Sequence, residues 1–576
     1  MDDTTRRKRG TGLLLATAVM TAATVVTLTA APAGAATSTI KATGATITRT
    51  DATAGTTLTV KATVARLDLW CSSNKLVVNK KATTIPCNKL LSVTTTGLTG
   101  NDTVEINATN FGSSLPKTTL AVKTGAGNDT INVRHNGTLT VYAGAGNDKI
   151  GAGLASGSHP VGETLLGEDG TDTLSNYGFI TAPRVAYGWT ATEIAQVKAL
   201  RSNLRGGPGA DRYVEDDLRW SDITLDASDV VTRKEGPATY SPERPTTTAA
   251  PWALDVAAGD PYLPNTLAFG TTTSLDVRCA ATATDALTRI NGLTVPEPCS
   301  LRPLEIQGTD RADTVTYDQK LRNGFGKYGL NVSVDLKGGD DVAAVRAPLG
   351  GVDISGGTGN DRLAVGIYNS AGNADASGGG GIRGDAGNDT LTNLGFLDPN
   401  PPVYVPENGP GSYDFAIALE GGAGADRLIG AATTIDSFWV EQADTVEDPG
   451  GPAYWNLAGT SGADTITATG REALGTVVDI GQGSLSKRFT LSPLTISLQI
   501  DALAGDDNLS LLDRSKHTAV SLDPGDGIDA LTTRFIQPWG LTWSSDGRII
   551  TADQTGWQPV SWVAANLELK FNYPED

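Results

Sequence analysis

An all-β solenoid, either a parallel β-helix or a β-roll, is the fold class that the sequence predicts. Short glycine-rich segments that end in aspartate recur along the chain, and an aliphatic residue follows nearly all of them. Patterns with the 3.6-residue period of a helix are scarce, and the best helix candidate is TATEIAQVKALRSN, which begins at Thr190. Glycine accounts for 68 of the 576 residues and favours tight turns between strands.

The recurring segment is a hexad in which most copies carry glycine two residues before the final aspartate. The final aspartates are Asp102, Asp129, Asp148, Asp172, Asp211, Asp313, Asp341, Asp361, Asp389, Asp426, Asp464, Asp507 and Asp529. The aliphatic residue follows two positions later, at Val104, Ile131, Ile150, Leu174, Val315, Leu363, Leu391, Leu428, Ile466, Leu509 and Leu531, with Tyr213 and Ala343 as weaker substitutes. The pattern predicts a glycine turn, an aspartate that points from it, and a strand that sends an aliphatic side chain into the core. A single copy would be an ordinary hairpin turn.

The spacing of the hexads fits one coil of a solenoid. Asp129 and Asp148 are 19 residues apart, and Asp341 and Asp361 are 20 apart. Strands of successive coils lie about 4.8 Å apart, so these turns are expected to stack along one edge. Stacked carboxylates repel each other, and a cation between them would relieve the repulsion. Because the pattern supplies oxygen ligands without histidine or cysteine, it favours Ca²⁺ over zinc or copper.

The hexads resemble the RTX, or hemolysin-type, calcium-binding repeat G-G-x-G-x-D-x-U-x. GGTGND, which ends at Asp361, and GGAGAD, which ends at Asp426, are closest to that consensus. The resemblance implies a parallel β-roll that binds calcium between successive turns through the sixth-position aspartate and turn carbonyls. The ligands it implies are Asp129, Asp148, Asp172, Asp211, Asp361, Asp389 and Asp426, followed by the weaker matches Asp102, Asp313, Asp341, Asp464, Asp507 and Asp529.

The chain departs from that family in its density of repeats. A hexad occurs about once per coil, and VRHNGTL takes the place of the opposite turn, so calcium is expected along one edge at most. Wider spacings, such as the 28 residues from Asp361 to Asp389, predict loops that interrupt the stack.

A longer duplication predicts three modules. GEDGTDTLSNYGF at 167–179 matches GDAGNDTLTNLGF at 384–396, an offset of 217 residues. The predicted units are a signal peptide at 1–35, a first module at 36–236, a second at 237–450, and a truncated third at 451–576. Proline and threonine at 237–251 predict a linker or surface loop. Trp539, Trp543, Trp557 and Trp562 are expected to cap the last coil, with a carbohydrate-stacking face as the alternative.

The N-terminus reads as a signal peptide. Four basic residues at 6–9 precede an apolar stretch at about 13–30, and small residues place the cleavage site after Ala35. General secretion is favoured over the twin-arginine route, and a membrane anchor is the alternative. The expected location is outside the cell, either free or associated with the cell surface. Removing residues 1–35 takes away four basic and two acidic residues and changes the net charge from −19 to −21. Such a surface disfavours nucleic acid and anionic membranes and favours cations, although a solvated acidic coat is the simpler explanation.

The four cysteines form two pairs along the chain. Cys71 and Cys87 are 16 residues apart, and Cys279 and Cys299 are 20 apart. An even number in an exported chain predicts two disulfides, each stabilising by roughly 3 kcal/mol in the chain-entropy view. No histidine lies near either pair, which argues against zinc.

No catalytic motif is recognisable. The three histidines are His135, His159 and His517, and neither G-x-S-x-G nor H-E-x-x-H occurs. His135 is expected on the surface of a strand. The sequence therefore favours a secreted, calcium-binding repeat protein with a structural or adhesive role, whose partners are calcium and a cell-surface polysaccharide or protein. The alternative is a calcium-dependent, carbohydrate-active β-helix enzyme of the lyase or epimerase type.

Overall fold

The architecture follows from a computed structural model of the chain. It describes residues 36–111, 118–154, 162–177, 201–214, 220–232, 238–243, 249–256, 264–281, 286–298, 303–318, 331–348, 351–368, 380–396, 416–431, 435–448, 453–471, 475–482, 485–492, 494–513, 519–523, 529–533, 541–543, 549–552, 560–563 and 567–571.

Strands make up nearly all of the secondary structure in these ranges. The first group is β1 (Ala36–Ala42), β2 (Ala45–Ala52), β3 (Gly55–Ala62), β4 (Arg66–Ser72), β5 (Lys75–Val78), β6 (Lys81–Pro86), β7 (Leu90–Thr96), β8 (Thr103–Asn107), β9 (Thr119–Ala126), β10 (Thr130–His135), β11 (Leu139–Ala145), β12 (Lys149–Leu154), β13 (Glu163–Asp169), β14 (Thr173–Tyr177), β15 (Ser202–Arg205), β16 (Arg212–Val214), β17 (Ser221–Leu225), β18 (Val230–Thr232) and β19 (Ala238–Pro242). A single 3₁₀ turn, Cys87–Lys89, follows β6.

The second group is β20 (Trp252–Val256), β21 (Asn265–Phe269), β22 (Ser274–Ala281), β23 (Ala286–Ile290), β24 (Leu293–Pro298), β25 (Leu304–Gln307), β26 (Thr314–Asp318), β27 (Val332–Asp335), β28 (Val342–Pro348), β29 (Val352–Thr358), β30 (Arg362–Tyr368), β31 (Gly380–Ala386), β32 (Thr390–Phe396), β33 (Ala416–Glu420), β34 (Arg427–Ile429), β35 (Ile435–Val440), β36 (Thr445–Glu447) and β37 (Ala453–Ala458). The third group is β38 (Thr465–Arg471), β39 (Gly475–Gln482), β40 (Leu485–Thr490), β41 (Thr495–Asp501), β42 (Asn508–Asp513), β43 (Ala519–Asp523), β44 (Asp529–Thr533), β45 (Leu541–Trp543), β46 (Ile549–Ala552), β47 (Val560–Val563) and β48 (Leu567–Phe571).

One long sheet forms the first face of the solenoid. It begins with the antiparallel strands β1, β2 and β3, and then runs parallel through β7, β9, β11, β13, β15, β17 and β19. β20 and β21 make an antiparallel corner, after which the parallel order resumes from β25 to β43. The all-β solenoid fold is therefore confirmed.

Three shorter sheets form the second face, and each begins in the same way. Three antiparallel strands come first, and we call this unit the hairpin; the three hairpins are β4–β5–β6, β22–β23–β24 and β38–β39–β40. Parallel strands then stack on β4, β22 and β38. The long sheet passes through all three predicted modules, and the module boundaries remain predictions.

Each coil takes one strand from each face. β9 leads through the hexad turn of Asp129 into β10, and residues 136–138 then connect β10 to β11. We call the second connection the far edge. Inward-facing side chains from both faces make the core between the sheets, including Val122, Ile131 and Val141, all 0% exposed. Burial of each such side chain contributes about 1.5–3 kcal/mol.

The aliphatic positions after the aspartates are core positions, as predicted. The buried ones are Val104, Ile131, Ile150, Leu174, Val315, Leu363, Leu391, Leu428, Ile466 and Leu509, together with Tyr213 and Ala343.

The predictions of a linker, a helix and a signal peptide are corrected or stay open. The predicted linker contains strand β19, whose Tyr240 is fully buried, because the long sheet continues through it. Ser202 and Asn203, the end of the predicted helix, lie in β15, while residues 190–200 lie outside the described residues. The signal peptide at 1–35 also lies outside them, and within them no helix is long and apolar enough to cross a membrane.

The first predicted disulfide is present. Cys71 at the end of β4 bonds to Cys87 just after β6, with their Cα atoms 6.2 Å apart, so it closes the hairpin that begins the first short sheet. Cys279 lies in β22 in the equivalent hairpin, but Cys299 lies outside the described residues and this second pairing stays a prediction.

Candidate metal site

The hexad aspartates lie in three columns along one edge of the solenoid. The first column is Asp102, Asp129, Asp148, Asp172, Asp211 and Asp229; the second is Asp313, Asp341, Asp361, Asp389, Asp426 and Asp444; the third is Asp464, Asp507 and Asp529. All thirteen predicted aspartates are members, and each has at most 4% of its surface exposed. The predicted neighbours Asp129 and Asp148 do lie on adjacent turns.

Hydrogen bonds join each aspartate to the next coil. The backbone N–H of Asp129 donates to Oδ1 of Asp148 at 2.7 Å, and the N–H of Asp148 donates to Oδ1 of Asp172 at 2.7 Å. The same bond continues through all three columns, with N···Oδ1 distances of 2.6 to 3.0 Å. Hydrogen bonds to a charged group contribute about 1.5–3 kcal/mol each, so the aspartates also hold consecutive coils together. The sequence reasoning missed this role.

The wide spacings do not interrupt the columns, contrary to expectation. The N–H of Asp361 reaches Oδ1 of Asp389, 28 residues later, at 2.7 Å. The extra residues come between β30 and β31 in the chain, and residues 369–379 lie outside the described residues.

A second ladder runs in the opposite direction beside the first. Where asparagine precedes the aspartate, its Oδ1 accepts from the following coil: the N–H of Asn128 donates to Oδ1 of Asn101, and the N–H of Asn147 donates to Oδ1 of Asn128, both at 2.8 Å. In the second column the N–H of Asn388 donates to Oδ1 of Asn360 at 2.9 Å. In each Asn-Asp dipeptide, the N–H of the asparagine thus donates to the preceding coil and the N–H of the aspartate donates to the following coil.

In most coils this stacking leaves room only for glycine two residues before the aspartate. Gly146 has φ +141°, and a Cβ there would overlap the carbonyl oxygen of Gly127 on the preceding coil. The turn carbonyls therefore lie directly against the next turn.

One oxygen of most column carboxylates has no hydrogen-bond partner. Oδ2 is buried and unpartnered in Asp129, Asp148, Asp172, Asp211, Asp341, Asp361, Asp389, Asp426, Asp507 and Asp529. A buried charged oxygen without a partner is costly, and it is a feature that a bound cation would explain.

A glycine at the first hexad position lets this oxygen pack closely against the backbone. A Cβ at Gly356 would overlap Oδ2 of Asp361 and lie 3.0 Å from the carbonyl oxygen of Gly384 on the next coil. A Cβ at Gly384 would likewise overlap Oδ2 of Asp389 and lie 2.5 Å from the carbonyl oxygen of Gly421. A carboxylate oxygen and a carbonyl oxygen from the next coil thus lie beside the same glycine, and oxygen atoms of these two kinds are the ligands that a hard cation prefers.

Burial raises the pKa of these carboxyl groups. The pKa of Asp148 and of Asp172 rises to about 6, mainly through desolvation, while the N–H from the preceding coil lowers it and the neighbouring carboxylate raises it further. The pKa of Asp341 rises to about 7 for the same reasons, with Asp361 and Asp313 as the charged neighbours. The columns therefore disfavour full ionisation when no cation is bound.

The first member of each column is bonded differently. Oδ2 of Asp102 accepts the N–H of Leu98 at 2.5 Å, and Oδ2 of Asp313 accepts the N–H of Thr309 at 2.7 Å. Oδ2 of Asp464 accepts the N–H of Thr460 at 2.6 Å. These three predicted ligands have Oδ2 engaged within their own turn, so the unpartnered Oδ2 atoms belong to later members.

Sequence reasoning missed the last members of the first two columns. Oδ1 of Asp229 accepts the N–H of Asp211 at 2.9 Å, and Oδ1 of Asp444 accepts the N–H of Asp426 at 3.0 Å. Oδ2 of each accepts an N–H of its own turn, from Asp226 and Glu441 respectively. Neither turn has the glycine, but an aliphatic residue still lies two positions later, at Val231 and Val446, and this signal could have identified them.

The far edge holds a buried polar group that includes His135. His135 is 0% exposed, which corrects the expected surface position; its Nε2 lies 2.8 Å from Oε2 of Glu163. Ser202 donates its hydroxyl to Oε1 of Glu163 at 2.9 Å. The serine thus bonds to the glutamate and not to the histidine, and all three side chains are enclosed, so this is not a nucleophile–base arrangement. His159 and His517 lie outside the described residues.

The fit to a metal is partial. Each coil contributes one column carboxylate, and no group of three or more His, Cys, Asp or Glu side chains in the described ranges is close enough to hold a metal ion. A site between two coils would therefore combine two carboxylates with turn carbonyls, which is compatible with calcium and not with zinc.

No protein-family model matches this chain, and no curated protein matches it significantly. The relation to the RTX repeat thus rests on the hexads alone. Of the predicted tryptophan cap, Trp543 and Trp562 lie in β45 and β47, and Trp539 and Trp557 lie outside the described residues, so that interpretation stays a prediction.

Proposed function

We propose that the protein is an exported scaffold whose aspartate columns bind Ca²⁺ between successive coils. The observation that carries the proposal is the row of buried, unpartnered Oδ2 atoms. A cation beside each of them supplies the missing partner and offsets the repulsion between neighbouring carboxylates.

Calcium is the cation that this chemistry favours. Carboxylate and carbonyl oxygens, which are hard ligands, lie together beside the glycines of the hexads, and a flexible coordination shell suits positions that differ from coil to coil. Magnesium demands a stricter octahedral shell and keeps its water, so it suits such varying positions less well. The net charge of −19 further favours cation uptake.

The biological role that we propose is structural and adhesive. Binding of calcium between coils stiffens a long solenoid, and such solenoids present extended surfaces to a partner. The predicted signal peptide would deliver the chain outside the cell, where the partner is a cell-surface polysaccharide or protein.

The test uses the exported chain and an asparagine substitution. Asp361→Asn keeps an Oδ1 that accepts the N–H of Asp341 but replaces the unpartnered oxygen with an amide. Asp353→Asn, at an exposed position of β29, is the matched control. Isothermal calorimetry and elemental analysis should show several calcium ions in the wild type and the control, and fewer in Asp361→Asn. Equal calcium content in all three proteins, or none in the wild type, would overturn the proposal.

A further inference from the structure

An open groove lies on the outer surface of the first short sheet, away from the aspartate columns. It has a volume of about 670 Å³ and crosses strands β4, β8, β10 and β12. This volume lies within the range of ligand-binding pockets, about 300–1,000 Å³. Neither the columns nor the disulfide accounts for it.

Parallel register arranges the outward side chains of the groove in two rows. Asp68, Glu105 and Asn132 are register partners on successive strands, and so are Trp70, Asn107 and Arg134. The second row therefore begins with an aromatic ring, and both rows continue with hydrogen-bonding groups. Successive strands are about 4.8 Å apart, so each row presents its groups at regular intervals along the solenoid.

Both carboxylates that line the groove are paired with the same arginine. Nε of Arg66 lies 3.0 Å from Oδ1 of Asp68, and its Nη2 lies 3.3 Å from Oε1 of Glu105. The guanidinium holds both carboxylates in place as acceptors. Because Arg66 already pairs with them, the two carboxylates attract a cationic ligand only weakly.

We infer that this groove binds a neutral saccharide chain. Trp70, which is half-buried, offers an aromatic contact to the C–H side of a sugar ring, while the carboxylates, amides and Arg134 match hydroxyl donors and acceptors. The lining carboxylates disfavour uronic acids, and their pairing with Arg66 disfavours sugars with free amino groups. The inference specifies the partner in the adhesive role proposed above, and it does not depend on calcium, because the groove lies on the strand faces.

The experiment measures binding of the exported chain to immobilised cellohexaose, mannohexaose, chitohexaose and polygalacturonate, followed by calorimetry. We expect binding of at least one of the neutral oligosaccharides over polygalacturonate. Trp70→Ala should weaken that binding by about tenfold or more, the effect of losing one aromatic contact. Tyr142→Ala, a half-buried aromatic on β11 in the long sheet, is the control and should bind like the wild type.

Asn107→Ala provides a second variant at an exposed position if Trp70→Ala does not fold, and it should also weaken binding. Absence of binding to every neutral oligosaccharide at millimolar concentration would overturn the inference. So would preference for polygalacturonate, or unchanged binding in the folded groove variants. Each measurement is repeated with a chelator. Saccharide binding that persists without calcium shows that the groove acts independently of the columns. Calcium binding without any saccharide binding would overturn the groove proposal and leave the calcium proposal standing.

Discussion

At the scale of single residues, most column carboxyl groups have pKa values above the ordinary range of aspartate. Burial raises the pKa of Asp148, Asp172 and Asp211 to about 6 and that of Asp341 to about 7. The ordinary pKa of aspartate, about 3.9, applies to the unfolded chain. The folded protein therefore binds protons that the unfolded chain releases, and each such group makes the free energy of unfolding fall as pH rises.

We expect the metal-free protein to lose stability between about pH 4 and pH 7, with little further loss above that range from these groups. Urea unfolding in chelator at successive pH values measures this. Asp148→Asn, which cannot ionise, should reduce the slope, whereas Asp353→Asn should leave it unchanged. If the free energy of unfolding rises over the same pH interval, the protein itself stabilises the ionised column carboxylates, and no cation is needed.

The buried pair of His135 and Glu163 gives a second prediction at this scale. Glu163→Ala removes the partner of Nε2 of His135 inside the far edge, where no part of either side chain is exposed. Leaving a buried polar group without its partner costs about 1–3 kcal/mol, and the cavity adds to that cost. Denaturant unfolding should show the loss, and Glu305→Ala, on half-buried strand β25, should show much less. Equal effects would mean that the pair contributes nothing specific.

At the scale of elements, a hairpin forms one edge of each short sheet, so the stack of parallel strands stops there. In the first hairpin the disulfide Cys71–Cys87 joins β4 to the residue after β6. The equivalent hairpin at β38–β40 has no cysteine, so packing and strand pairing suffice there.

Removing this disulfide should therefore weaken the hairpin without abolishing the fold. The double variant Cys71→Ser, Cys87→Ser is expected to lose roughly 3 kcal/mol, since the closed loop is short. Thermal unfolding monitored by circular dichroism measures the change. Complete loss of β structure in this variant would contradict the view that the hairpin is stable by strand pairing.

At the scale of the whole molecule, cation binding and folding are expected to be coupled. A ligand that binds only the folded state stabilises it by about 2.7 kcal/mol per independent site at a hundredfold excess over Kd. Calcium should thus raise the melting temperature by several degrees, and magnesium should raise it far less. The column hydrogen bonds and the core should keep the chelated protein rich in β structure. Identical melting curves with and without millimolar calcium would leave the columns as purely structural ladders.

What could be read from the sequence is what depends on neighbours in the chain. The glycine turn, the aspartate and the aliphatic residue after it lie within eight positions, so the all-β solenoid, its core positions at Ile131 and Ile150, and the stacked edge were predictable. The disulfide Cys71–Cys87 was predictable from spacing and number. Cation binding by the columns is a prediction from the same local pattern.

The tertiary structure decided what depends on contacts between coils. The N–H that pairs with Asp426 belongs to Asp389, 37 residues earlier, and no local pattern indicates that distance. Asp229 was missed because its turn lacks the glycine. In that turn the hydroxyl of Ser228 donates to the carbonyl oxygen of Gly209 on the preceding coil, whereas the equivalent carbonyl oxygen of other coils lies against a glycine. His135 lies on the inward face of β10 together with Ile131 and Val133, and its partner Glu163 comes from a later coil. Sequence patterns record the geometry of a turn, whereas burial and hydrogen-bond partners depend on which coil stacks next.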